Sequence, residues 1–166
     1  MKSILIAIAL LVNGLAYGQT AEEYFNRGFD KVELGDYRGA IADFTKAIKL
    51  NPNDALAYLN RGTAKLLLKD HRGAIADYSK AIELKPNHAG AYKERGLAKS
   101  RLEDYRGAIV DCSKAIELNN NFADAYYTRG LSRFILGQID KGCMDLSKAG
   151  ELGSSNAYDM IKQLCN

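Results

Sequence analysis

Apolar and small residues recur along this chain at two scales, every three or four positions within a segment and every 34 positions between segments. From Ala55 to Leu68, Leu56, Leu59, Thr63 (through its methyl) and Leu66 fall on one helical face, with Tyr58, Gly62 and Lys65 on an adjoining stripe. A polar break at Lys69 and Asp70 follows, and a second helical pattern then runs from about His71 to Leu84 with Ala74, Tyr78 and Ala81 aligned. Asp70, like Asp36 and Asp104 in their own segments, is placed to cap the second helix by accepting from the free amides of its first turn. Pro52 and Pro86 lie just past the second helices, where proline stops a helix from continuing. Each segment therefore predicts two antiparallel helices joined by short turns.

The longer spacing is carried by five columns. Tyr24, Tyr58, Tyr92 and Tyr126 form one, and Gly28, Gly62, Gly96 and Gly130 a second. Arg27, Arg61, Arg95 and Arg129 precede those glycines, while Asp43, Asp77, Asp111 and Asp145, then Ala47, Ala81, Ala115 and Ala149, mark the second helices. A fixed period of this size means stacked supersecondary units, each burying against its neighbours a face it cannot bury alone. The units fall at about 21–54, 55–88, 89–122 and 123–156, and 157–165 reads as a helix that caps the stack. A mid-helix glycine costs about 1 kcal/mol relative to alanine. Four at one place imply a close contact, Gly62 leaving room for an aromatic such as Tyr78.

Tyr58, Gly62, Ala74, Tyr78, Ala81 and Pro86 within one copy resemble the tetratricopeptide repeat, and the likeness covers about residues 21–154. It implies an all-α fold, a right-handed α-solenoid of four helix-turn-helix repeats plus a C-terminal capping helix, working as a non-enzymatic scaffold whose first helices line a concave groove. On that reading the peptide-binding groove comprises Phe25, Phe29, Leu59, Thr63, Lys93, Leu97, Tyr127, Leu131 and Phe134, with Val32, Leu66 and Ser100 continuing the stripe. Each of these either faces a partner or packs on the adjacent repeat. Some relatives grip a chaperone's terminal carboxylate with a clamp of lysine, asparagine and arginine. Asn60 holds one clamp place here, but Phe25, Phe29, Gly90 and Glu94 hold the others, so a more apolar segment is expected. The fourth copy departs from the pattern at Gly142, Leu146 and Ser154, and the third at Cys112 and Asn120.

Composition narrows the function further. A net charge of +3 with interleaved signs gives no basic face for nucleic acid. The regular bases Lys31, Lys65, Lys99 and Arg133 add to the arginine column, and the choice lies between a phosphate ladder and ion pairs with the equally regular aspartates, of the same or the preceding copy. Residues 1–18 fall outside the repeat: a basic start at Lys2, an apolar run from Ile4 to Val12, then Ala16-Tyr17-Gly18 before Gln19. That is the anatomy of a signal peptide, the run being well short of the roughly 20 residues that span a bilayer. Export to the periplasm or medium is expected, with no membrane association after cleavage.

Cys143 and Cys165 stand 11 residues either side of Ser154, so a hairpin about that turn brings them together as a disulfide, the other outcome being two free thiols with Cys165 in a fraying tail. Cys112 takes a core aromatic place. His71 shares a column with Tyr37 and Tyr105, which gives it a packing role, and His88 lies in a turn. No glycine-rich phosphate loop, metal cluster or paired nucleophile and base stands out, so no enzyme activity, cofactor or metal is expected. The partner expected is a protein or peptide. The competing class is a self-associating homo-oligomer whose groove is filled by another copy.

Overall fold

A computed structural model describes residues 19–165. The expected leader, residues 1–18, lies outside the described residues, as does Asn166. Among the described residues the chain forms nine helices and no strand: α1 Ala21–Glu33, α2 Tyr37–Leu50, α3 Ala55–Leu67, α4 His71–Leu84, α5 Ala89–Arg101, α6 Tyr105–Leu118, α7 Ala123–Ile135, α8 Ile139–Glu151 and α9 Ser155–Leu164. Every helix packs on its sequence neighbour, and α1, α3, α5 and α7 also touch one another from repeat to repeat. These first helices consequently line the inside of a solenoid of four pairs, closed by α9. The cap helix begins at Ser155, two residues before the expected start, because the chain already turns at Gly153 with φ 94.

Local chemistry sets the ends of the helices. Thr20 and Glu23 form a reciprocal capping box on α1. Asp36, Asp70 and Asp104 accept at 2.9 Å from the amides of Gly39, Gly73 and Gly107 on α2, α4 and α6. His88 caps α5, its Nδ1 accepting from the Ala91 amide at 3.1 Å. The turn inside each repeat needs one left-handed residue, supplied by Gly35, Lys69, Glu103 and Gly137 with φ between 63 and 77.

The glycine column is where paired helices touch. A Cβ on Gly28 would lie 2.9 Å from the Phe44 ring, and one on Gly62 would lie 2.8 Å from Tyr78 Cε1. At Gly96 the facing atom is Cys112 Sγ, and at Gly130 it is the Gly142 carbonyl, 3.0 Å away. Gly142, in a column otherwise held by Ala40, Ala74 and Ala108, thus lets the α7 and α8 backbones approach directly. Tyr78 is fully buried, so its ring has nowhere to retreat. Gly62→Leu is expected to cost about 1–3 kcal/mol by overpacking, read as a lower urea midpoint at unchanged slope. An unchanged midpoint contradicts this contact.

Between repeats, the buried groups are smaller than the apolar stripes of the first helices suggest. Leu56 is 43% exposed, whereas Ala57, Ala91, Ala125, Ala64, Ala98 and Ser132 are fully buried. In α1 the same columns hold Glu23 and Asp30, both exposed. These small side chains let successive pairs close on each other, which is why a repeat with few large core residues still stacks.

A charged lattice runs through that interior. Each arginine of the recurring column grips the aspartate of its own repeat with two bonds, Arg95 donating to Asp111 at 2.9 and 2.7 Å, and Arg27, Arg61 and Arg129 doing the same to Asp43, Asp77 and Asp145. The base four residues on, Lys31, Lys65, Lys99 or Arg133, meets the same carboxylate at 2.7–2.8 Å. The remaining arginine nitrogen reaches the preceding repeat, where Thr45, Ser79 and Ser113 accept at 3.1 Å from Arg61, Arg95 and Arg129. Each guanidinium also lies over the tyrosine three residues before it, at 4.9–5.6 Å. The bond from Arg27, against the opposing effect of burial and helped by Lys31, holds the Asp43 carboxyl down to about 2. The recurring bases are therefore engaged with the aspartates of their own repeats within the fold.

Candidate functional site

The expected groove residues divide by what the inner helices do with them. Phe25 is half-buried and meets Phe44 edge-to-face at 5.6 Å, and Val32 packs on the same cluster. Leu59 and Leu66 pack against Tyr78. Thr63 donates to the Leu59 carbonyl at 3.1 Å and accepts from the Tyr78 hydroxyl at 3.4 Å. Phe29 stands out of the surface at 48% exposure, and Leu131 and Phe134 are half-buried on α7.

Lys93, Leu97 and Tyr127 are brought together. With Glu94, Asp124 and Thr128 they line a pocket of about 350 Å³ between α5 and α7. Leu97 is shared with a second pocket of about 390 Å³, lined also by Leu66, Leu67, Lys69, His71 and Arg101. The first helices of adjacent repeats therefore frame a discontinuous groove rather than a smooth trough. His71, half-buried at the head of α4, lies against that second pocket.

Charge in the first pocket is arranged around Lys93. Its Nζ lies 2.7 Å from Glu94 Oε1, 3.7 Å from Asp124 Oδ2 and 5.9 Å from the centre of the Phe122 ring. Burial works against the ammonium, but the bond to Glu94, assisted by Asp124, outweighs it and keeps the pKa above that of a free lysine. Glu94 and Asp124 belong to no recurring column, and the sequence reading of the groove passed over Asp124. The signal available was spacing: Asp124 precedes Tyr127 by three, one helical turn on the same face.

At the far end of the stack Cys143 and Cys165 are joined by a disulfide, their Cα atoms 5.8 Å apart. Cys112 is free and fully buried, and burial, with Asp111 beside it, pushes its thiol up to about 12, which leaves it unreactive at neutral pH. Among the described residues no group of three or more His, Cys, Asp or Glu is arranged to hold a metal, and no helix is long and apolar enough to cross a membrane.

Stacked helix pairs with a groove on the inner helices define the class as an α-helical repeat solenoid. The tetratricopeptide repeat family matches over residues 25–89. A crystal structure of MamA protein is similar at 31% identity with a TM-score of 0.78, covering 85% of this chain and 78% of that one. The chain belongs to the tetratricopeptide repeat family. The first TPR of Spaghetti (RPAP3), bound to the HSP90 peptide SRMEEVD, is similar at 27% identity and a TM-score of 0.70, covering 72% of this chain and 94% of that one. The Arabidopsis OM64 TPR domain is similar at 28% identity and a TM-score of 0.69, covering 70% and 96%. No curated protein matches the chain.

Proposed function

We propose that this protein is an exported scaffold that holds a peptide or an extended protein segment along the inner helices. The observation that carries the reading is the pocket that Lys93, Leu97 and Tyr127 help to form between α5 and α7, with the exposed ring of Phe29 further along the inner helices, on α1. An apolar groove with a few convergent polar groups is the usual form of a segment-binding site. The peptide seated in the Spaghetti (RPAP3) domain supports the reading by likeness of fold. Export is supported by the leader-like residues 1–18 and by the Cys143–Cys165 disulfide, a bond that persists in oxidising compartments.

Affinity capture from the periplasmic or extracellular fraction tests the reading. The wild-type chain is expected to retain a partner and the Phe29→Ala, Tyr127→Ala variant to lose it. The Val110→Ala, Met144→Ala variant, altered at exposed residues of the second helices, is expected to keep it. Equal retention by all three contradicts the site. Light scattering separates the self-associating alternative, since a second copy in the groove gives a mass that rises with concentration.

A further inference from the structure

We infer that the segment taken by the groove is apolar with a single basic side chain, and that this base docks beside Asp124 and Tyr127. The inference rests on the groove reading above and adds the chemistry of the partner.

The chain as a whole is positive, at +3, and the neighbouring pocket is lined by the bases Lys69 and Arg101, yet the pocket between α5 and α7 carries the opposite balance. The pocket between α5 and α7 holds two carboxylates, Glu94 and Asp124, against one ammonium, Lys93. Lys93 is committed to Glu94 at 2.7 Å and reaches Asp124 only at 3.7 Å. Asp124 keeps 78% of its side chain exposed on the rim, so much of its charge is left for an incoming cation. Lys93 also shows what the pocket stabilises: its own ammonium sits among two carboxylates and the Phe122 ring. A guanidinium or ammonium from a partner finds the same surroundings on the open side, with Tyr127 beside it. An acidic side chain would meet two like charges there and a lysine already paired. Apolar neighbours, Leu97 within the pocket and Leu131 one turn beyond Tyr127 on α7, suit aliphatic or aromatic residues next to the base.

Three fluorescein-labelled heptapeptides test this, identical in alternating leucine and phenylalanine and differing only in a central arginine, norleucine or glutamate. Anisotropy titration of the full-length chain at low salt is expected to rank them in that order, arginine leading norleucine by about fivefold. The lead shrinks as salt is raised, because a rim charge is screened. Asp124→Asn erases the lead, and Lys93→Met, which removes the resident cation, widens it. Equal binding of the three, or tightest binding of the glutamate peptide with loss of that binding in Lys93→Met, overturns the inference while leaving the groove reading intact. Failure of all three to bind overturns both.

Discussion

Replacing Arg95 and Lys99 together by alanine is expected to cost about 3–5 kcal/mol of folding stability. Their shared partner, Asp111, is 2% exposed and receives both cations, Arg95 Nη2 at 2.7 Å and Lys99 Nζ at 2.8 Å. Removing both leaves a buried carboxylate stripped of both its counter-charges between the two helices of one repeat. Arg95→Ala alone is expected to cost less, about 1.5–3 kcal/mol, because Lys99 remains in contact. It also severs the bond to Ser79 of the preceding repeat, so its effect includes a loosened interface. The two single effects are not expected to add, since both act through one carboxylate. Adding Asp111→Ala to the double variant should recover part of the loss by removing the stranded charge. Urea unfolding of the wild type, the two single variants, the double and the triple measures these losses. A loss below about 1 kcal/mol in the double variant contradicts a load carried by the charged lattice.

The second large effect is expected at the other end of the stack. Cys143→Ala should release α9, with a loss of about 3 kcal/mol in the anchoring of that helix. The rest of its packing is shallow, with Met160, Ile161 and Leu164 half-buried. Ala157 is its only fully buried residue, and Tyr158, 61% exposed, contributes one bond from its hydroxyl to the Gly150 carbonyl at 3.1 Å. A helix of 10 residues does not persist alone in water. Its departure uncovers Ala149 and Gly150, which makes the solenoid end sticky. Hydrogen exchange should therefore show residues 155–164 losing protection in the variant, or in the reduced wild type, while α1 to α6 keep theirs. Protection of α9 unchanged by loss of the bond contradicts this picture.

Repetition decided which parts of this molecule were legible beforehand. The glycine beneath Tyr78, the aspartate caps and the pairing of helices recur in several copies, so spacing alone exposes them. The partner of the arginines was ambiguous because both alternatives hold in part: the aspartate is that of the same repeat, and the hydroxyl at Thr45, Ser79 or Ser113 belongs to the preceding one. The interface alanines were overlooked because a small residue contributes little to an apolar stripe, although Ala57 and Ala64 are buried where Leu56 is not. The groove was legible only as a face. Which of its residues converge depends on how adjacent repeats lie against each other, and Asp124 and Glu94 occur once each and so leave no period to find. A scaffold shows itself through what it repeats, and its specificity through what it does not.

The most direct test of partner binding on the inner helices is photocrosslinking with a benzophenone amino acid placed singly at positions 29, 127, 110 and 144. In cells that express the protein, positions 29 and 127 on the first helices are expected to capture the partner and positions 110 and 144 on the second helices to remain bare. Capture at 110 or 144 with none at 29 and 127 contradicts the account.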